Sequence, residues 1–467
     1  MNFPSFFRSM FRDRAFFLTL FTVGWPIALQ HGFVTALNLL DTLMVGQLGE
    51  SQIGAVALGN QLFFLVMLFL FGIGSGSAVF VAQYWGREDV VGIRRSLGLA
   101  LCIAIPGSIF AAIVVSLFPG FILRLFTADA VVIGLGIGYI RMVAPSYLFT
   151  ALTIVLGSAL RSTGEVRLPL RMTVIALGLN AVLNYMLIFG IGIFPALGVL
   201  GAAIGTTVSR GLETLLLIGA MVRRRHPLIG PVRDYLSTTR ALTKRFLAVA
   251  SPVVLNEVLW SAGMTMYTLV YARMGTAQLA ASNIAETVIR LTFVVFMGSA
   301  GAAAVILGND IGAGHLKKAA RDARRLAVLA PLSGVGFGLM LALVAPFVPL
   351  LYQVSDSVRT DVTRMLLVIA CVVPVKSLNL HAIVGVLRSG GDTRYAMLTE
   401  ASMLWGIGVP LAAFTGLVLG WPIYFVLAVA QSEEIGKFVL IFRRIVTNRW
   451  IHRVTEHDDE MEPAISV

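Results

Sequence analysis

The chain has 467 residues, 57% hydrophobic and only 13% charged, with a mean hydropathy of +0.87. That charge fraction is about half that of ordinary soluble domains, which excludes a soluble globular protein. The net charge of +12 would suit nucleic acid, but the basic residues lie in short loops between apolar runs, so no nucleic-acid partner is expected.

Apolar runs long enough for a bilayer core, about 20 residues each, fall at 15–45, 51–83, 96–118, 132–159, 170–190 and 199–222. A second set falls at 246–272, 278–308, 325–351, 361–387, 396–418 and 420–442. A β-barrel would show short alternating segments instead. The basic N-terminal stretch precedes an apolar run too long for a signal-peptide core and without a small-residue cleavage pattern, so no cleavable signal is expected. Cys102 and Cys371 stand alone inside apolar runs and read as small buried residues.

The basic residues set the orientation. With the N-terminus inside, inner segments hold 28 of the 36 Lys and Arg, beginning with Arg8, Arg12 and Arg14. Outer segments hold Arg124, Arg273, Arg359 and Arg364. Both termini are therefore expected in the cytoplasm.

The two sets of runs also resemble each other. A shift of 226 residues lays "WPIALQHGF" (25–33) on "SPVVLNEVL" (251–259), Gly72 on Gly298 and Gly86 on Gly312. A shift of 227 lays "LRSTGEVR" (160–167) on "LRSGGDTR" (387–394). The expected fold class is an all-α polytopic membrane protein, with twelve transmembrane helices in two pseudo-symmetric six-helix lobes related as a parallel repeat. The expected boundaries are an N-terminal lobe at 1–222, a cytoplasmic linker at 223–245, a C-terminal lobe at 246–442 and a cytoplasmic tail at 443–467.

Ionisable side chains inside spans are costly and mark candidate sites. Asp41, with Asn38 one turn before it on the same helix face, is either a hydrated residue near the outer interface or a carboxylate that binds H⁺ or Na⁺. Glu257 lies mid-span beside Asn256, with no basic residue within a turn, and reads as functional. In the repeat Glu257 aligns with His31, and Asp41 with Tyr267. Asn180 and Asn184 are four residues apart and face one way, as interhelical bonds or as a polar site shared with Asp41. Glu286 with Arg290 and Arg210 with Glu213 have ion-pair spacing. Lys376 and His381 share the tenth span, where Lys376 could neutralise a facing carboxylate. His31, Asn38, Asn256, Tyr267, Glu286 and Lys376 are the candidates for a substrate cleft. No Walker A, GxSxG, HExxH or CxxC pattern occurs, so neither an enzyme nor direct ATP use is expected.

At "ALNLLDTLMVGQLGESQIGAVALG" (36–59), "ALRSTGEVRLPLRMTVIALGLNAVLNYMLIFGIG" (159–192) and "LRSGGDTR", the chain resembles the multidrug and toxic compound extrusion (MATE) family, in its NorM-like branch. The resemblance implies a monomeric antiporter of the bacterial inner (plasma) membrane. It would export small amphipathic, often cationic compounds in exchange for H⁺ or Na⁺, with no cofactor beyond that coupling ion. By the resemblance, Asp41, Asn180 and Glu257 are cation-site residues. Asn184 stands where some members have an aspartate, and Ser377 where Na⁺-binding members have one, which weakens a Na⁺ site and leans towards H⁺. The alternatives are a lipid or lipid-linked precursor flippase and, from another class, an intramembrane transferase.

Overall fold

The computed structural model describes residues 13–192 and 194–455; Arg8 and Arg12 and the last twelve residues of the tail lie outside them. Among the described residues the structure is nearly all helix. In the bilayer core no water satisfies backbone groups, so each crossing segment must close its hydrogen bonds within itself. The first half contains α1 (Arg14–Gly46), α2 (Glu50–Gly86), α3 (Val90–Leu117), α4 (Pro119–Arg124), α5 (Ala130–Val143), α6 (Ser146–Ser162), α7 (Arg167–Phe189) and α8 (Val199–Arg223). After the short α9 (Val232–Leu236) come α10 (Arg240–Met274), α11 (Thr276–Gly312), α12 (Leu316–Val344) and α13 (Asp356–Leu380). A π-helical stretch (His381–Leu387) continues α13, and α14 (Thr393–Met403), α15 (Val409–Ala413), α16 (Ile423–Ala430) and α17 (Ser432–Val446) complete the chain.

Among the described residues nine helices are long and apolar enough to cross a membrane, and α5 with α6, bent by 49°, make a tenth span. The two remaining expected positions are occupied by α8 and by the broken pair α16–α17. Those helices carry Arg210 and Glu213, and Glu433, Glu434 and Lys437, which dilute their apolar character. The protein is thus a multi-pass α-helical membrane protein.

The internal repeat is written into the helix starts. Arg14, Glu50 and Val90 open α1, α2 and α3, and Arg240, Thr276 and Leu316 open α10, α11 and α12 at the same spacing. Equivalent glycines precede α2 and α11: Gly49 at φ 119° and Gly275 at φ 146°, conformations that side chains rarely adopt. Asp89 caps α3 by accepting from Gly92 N at 2.8 Å, and Asp129 caps α5 from Val131 N and Val132 N.

The chain forms two compact units, Leu29–Val254 and Met1–Ala28 with Leu255–Val467, so the crossings between units fall inside α1 and α10. Within the first unit, the core gathers Val45, Leu62, Leu123, Tyr139, Tyr147 and Ala203. Here α2 meets the entering half of α10, for a Cβ at Gly72 would lie 2.6–3.0 Å from Val254. Within the second unit, one cluster includes Tyr267, Phe296, Ile369 and Val426, and another includes Phe16, Leu307, Leu387 and Trp450. There α11 meets the entering half of α1, and a Cβ at Gly298 would lie 2.6 Å from both Gly24 O and Ala28 Cβ. Repeat-related glycines thus perform the same task, close backbone approach, in each unit. Cys102 and Cys371, expected to be buried, are both exposed on their helices; an apolar span places small side chains on its outer face as readily as inside.

Candidate functional site

In the first unit the polar group is built from α1 and α7. Asn180 and Asn184 lie one turn apart on α7, 4% and 1% exposed. Asn184 Nδ2 donates to Asp41 Oδ1 at 2.8 Å and to Asn180 Oδ1 at 3.2 Å. A side chain at Gly205 on α8 would collide with Asn184 Oδ1, so that glycine makes room for the amide. Asn184 Oδ1 itself is buried without a hydrogen-bond partner among the described residues. Asp41 makes no ion pair among those residues; its side-chain hydrogen bond comes from the Asn184 amide. The amide expected from Asn38 comes instead from α7: Asn38 is exposed, and its side chain makes no hydrogen bond among the described residues.

Closer to the start of the same unit, Gln30 Nε2 donates to Thr173 Oγ1 at 2.8 Å, and Thr173 Oγ1 donates to Glu213 Oε1 at 2.7 Å. Glu213 Oε2 is paired with Arg210 at 2.9 Å, the spacing expected from the sequence. His31 is half-buried beside this chain.

In the second unit, Glu257 is not the unpaired carboxylate that the sequence suggested. Arg388 Nη2 donates to its Oε1 at 2.7 Å, with the two side chains 6% and 14% exposed. The partner was missed because it lies 131 residues away, in a segment read as cytoplasmic loop. That segment is firmly held. Asp392 accepts from Arg444 at 2.7 and 3.1 Å, Gly391 bridges to Ile451, and His452 N donates to Gly390 O at 2.8 Å. Burial pushes the Asp392 carboxyl up, but His452 and Arg444 outweigh it and hold the group below its ordinary range.

Next to this pair Asn256, 4% exposed, donates to Glu400 Oε2 at 2.7 Å. On α17 Lys437 meets Glu433 at 3.3 Å and Glu434 at 3.4 Å, and Lys376 stands 4.0 Å from Glu434, the facing carboxylate expected for it. Asn379 Nδ2 also donates to Glu434 at 2.8 Å. Tyr267 is buried, and a Cβ at Gly408 would strike both its hydroxyl and Glu433 Oε2. Glu286 and Arg290 bind each other at 2.7 Å on an exposed face.

Two residues of the tenth span are internally satisfied. His381 Nδ1 faces Ser377 O at 2.7 Å and so carries the proton, while Nε2 lies 2.7 Å from Ser299 Oγ. Ser377 Oγ donates to Ala330 O at 2.9 Å and is fully buried.

Ionisable side chains held within the spans of two repeat-related helical units mark the class of membrane transporters built by duplication. The MatE family model matches residues 26–186 and again 252–414, and the chain belongs to that family. A protein of Rhizobium meliloti called probable multidrug resistance protein NorM is 30% identical over 88% of this chain and 90% of its own. An uncharacterised transporter of Bacillus subtilis, YisQ, is 23% identical over 94% and 96%. The fold is shared with the Vibrio cholerae MATE transporter VcmN, at TM-score 0.84, 18% identity and coverage of 95% and 99%. A Pyrococcus furiosus transporter of the MOP superfamily gives TM-score 0.83 and 20% identity over 92% and 96%.

Proposed function

We propose that the chain is a multidrug exporter of the bacterial plasma membrane, a carrier rather than an enzyme. Both termini lie in the cytoplasm, and amphipathic cationic compounds leave in exchange for protons by alternating access. The relatives' names support the substrate class. The observation that carries the coupling site is Asp41, a carboxylate within a span, held by the Asn184 amide alone and without an ion-pair partner among the described residues. Such a group is costly when ionised and neutral once it takes a proton, so occupancy changes the energy of its surroundings. The choice of a proton over Na⁺ follows from the resemblance, which puts Ser377 where Na⁺-binding members carry an aspartate.

Asn180 and Asn184 position Asp41, and Glu257 is the second coupling carboxylate, where an incoming proton competes with Arg388. His31, Asn38, Asn256, Tyr267, Glu286 and Lys376 remain the residues proposed to line the substrate path. The test is efflux of a cationic dye from proteoliposomes under an imposed pH gradient. Asp41→Asn, which keeps an acceptor for Asn184, is expected to abolish gradient-driven efflux while dye binding persists. Undiminished efflux would refute the assignment.

A further inference from the structure

One carboxylate has no part in that scheme. The intramembrane network of the second unit joins Glu257, Glu400, Glu433 and Glu434 to Arg388, Lys376 and Lys437. Fully ionised, four acids face three bases, an excess of one negative charge in a region where unbalanced charge is expensive.

The partners locate the excess. Glu257 is bound to Arg388, while Glu433 and Glu434 share Lys437, and Lys376 approaches Glu434. Glu400, on α14, makes no ion pair among the described residues. Its contact is Asn256 Nδ2 at 2.7 Å, and that same amide leaves Oδ1 buried without a partner. A carboxylate can only accept from an amide. A neutral carboxyl can also donate, so its C=O accepts from Nδ2 while its O–H supplies the donor that Oδ1 lacks.

The repeat gives an independent comparison. Gln30 and Thr173 of the first unit align with Asn256 and Glu400, at shifts of 226 and 227, and make the same amide contact at 2.8 Å. There the recipient is a hydroxyl, and the carboxylate beyond it, Glu213, is balanced by Arg210. The second unit places an acid at the equivalent position and, among the described residues, no cation within ion-pair distance of it.

We propose that Glu400, held by Asn256, is a proton-binding site of the second unit, occupied by one proton per chain. Its use in transport rests on the export reading above; its protonation does not.

The test is infrared difference spectroscopy of the full chain in lipid nanodiscs, following the protonated-carboxyl C=O band as pH is raised. The expected result is a band lost in Glu400→Gln, retained in Asp41→Asn, and unchanged when K⁺ is replaced by Na⁺, whereas Glu257→Gln, which frees Arg388 and removes the excess charge, is expected to make the band disappear at lower pH than in the parent. Asn256→Leu, which removes the amide but not the acid, is expected to shift the band without abolishing it, a readout independent of how well Glu400→Gln folds. The same band in Glu400→Gln as in the parent, or its loss on adding Na⁺, would overturn the proposal. A Glu400 band in a protein that moves no dye would refute the export reading and leave this site standing.

Discussion

Arg388 Nη2 donates to Glu257 Oε1 at 2.7 Å, joining a loop residue to a mid-span carboxylate within one compact unit. Both groups are largely buried, and removing one partner leaves the other charged without compensation. Arg388→Met is therefore expected to destabilise the protein by about 3–5 kcal/mol. Glu257→Gln in the same chain is expected to restore much of that loss, since the orphaned charge is gone. Thermal unfolding in detergent measures both; equal melting of Arg388→Met and the parent would show that the pair contributes nothing.

Asn184 and Asn180 are not equivalent. Asn184 donates to Asp41, whereas Asn180 accepts from Asn184 and makes no hydrogen bond to a carboxylate among the described residues. Asn184→Ala strips a half-buried carboxylate of its donor, a change costing about 1–3 kcal/mol. It is expected to move the pH dependence of dye efflux towards alkaline values, because the ionised form of Asp41 loses its stabilising bond. Asn180→Ala is expected to shift that profile less. A pH–efflux profile of each variant decides it, and identical profiles would refute the distinction.

Gly72 and Gly298 are expected to tolerate no side chain. The obstacles are main-chain atoms, Val254 N and Cα at Gly72, and Gly24 O and Ala28 N at Gly298, which cannot rotate away. Overpacking of this kind costs about 1–3 kcal/mol. Gly178, with nothing within 4 Å of its added Cβ, is the control. Melting temperatures of the three Gly→Ala variants are expected to fall for the first two only.

The clasp between Asp392 and the chain end gives a pH dependence of defined sign. Asp392 is held below its ordinary value in the folded protein, so its contribution is present above the unfolded carboxylate range and is lost as pH falls through the lowered value. Asp392→Asn is expected to flatten the acid limb of a stability-against-pH curve and to lower its neutral and alkaline side by a constant amount, the two curves converging at low pH. Protease cutting within 447–455 across that range reads the clasp directly; an unchanged acid limb would refute it.

The fold was legible because bilayer thickness and helix periodicity act locally, and duplication doubled every signal. The constant shift that aligned glycines in the sequence also aligns the helix starts Arg14 with Arg240 and Glu50 with Thr276. Asp41 with Asn184 was legible for the same reason, since an intramembrane acid needs a polar neighbour and α7 offered a matched pair. Arg388 was not, because charge counting assigns loop arginines to topology, and only packing shows which one turns inward. The repeat held a usable clue: Arg161 aligns with Arg388, and His31 with Glu257. The contact of Glu400 with Asn256 depends on how α10 and α14 pack, which no local pattern encodes.

The central claim, proton-driven export, is tested most directly in vesicles containing the purified chain. Dye movement is followed under an imposed pH gradient without Na⁺, and then under an imposed Na⁺ gradient at equal pH on both sides. Transport driven by the pH gradient alone, and absent in Asp41→Asn, is the expected result. Transport that needs the Na⁺ gradient, or survives Asp41→Asn unchanged, would contradict it.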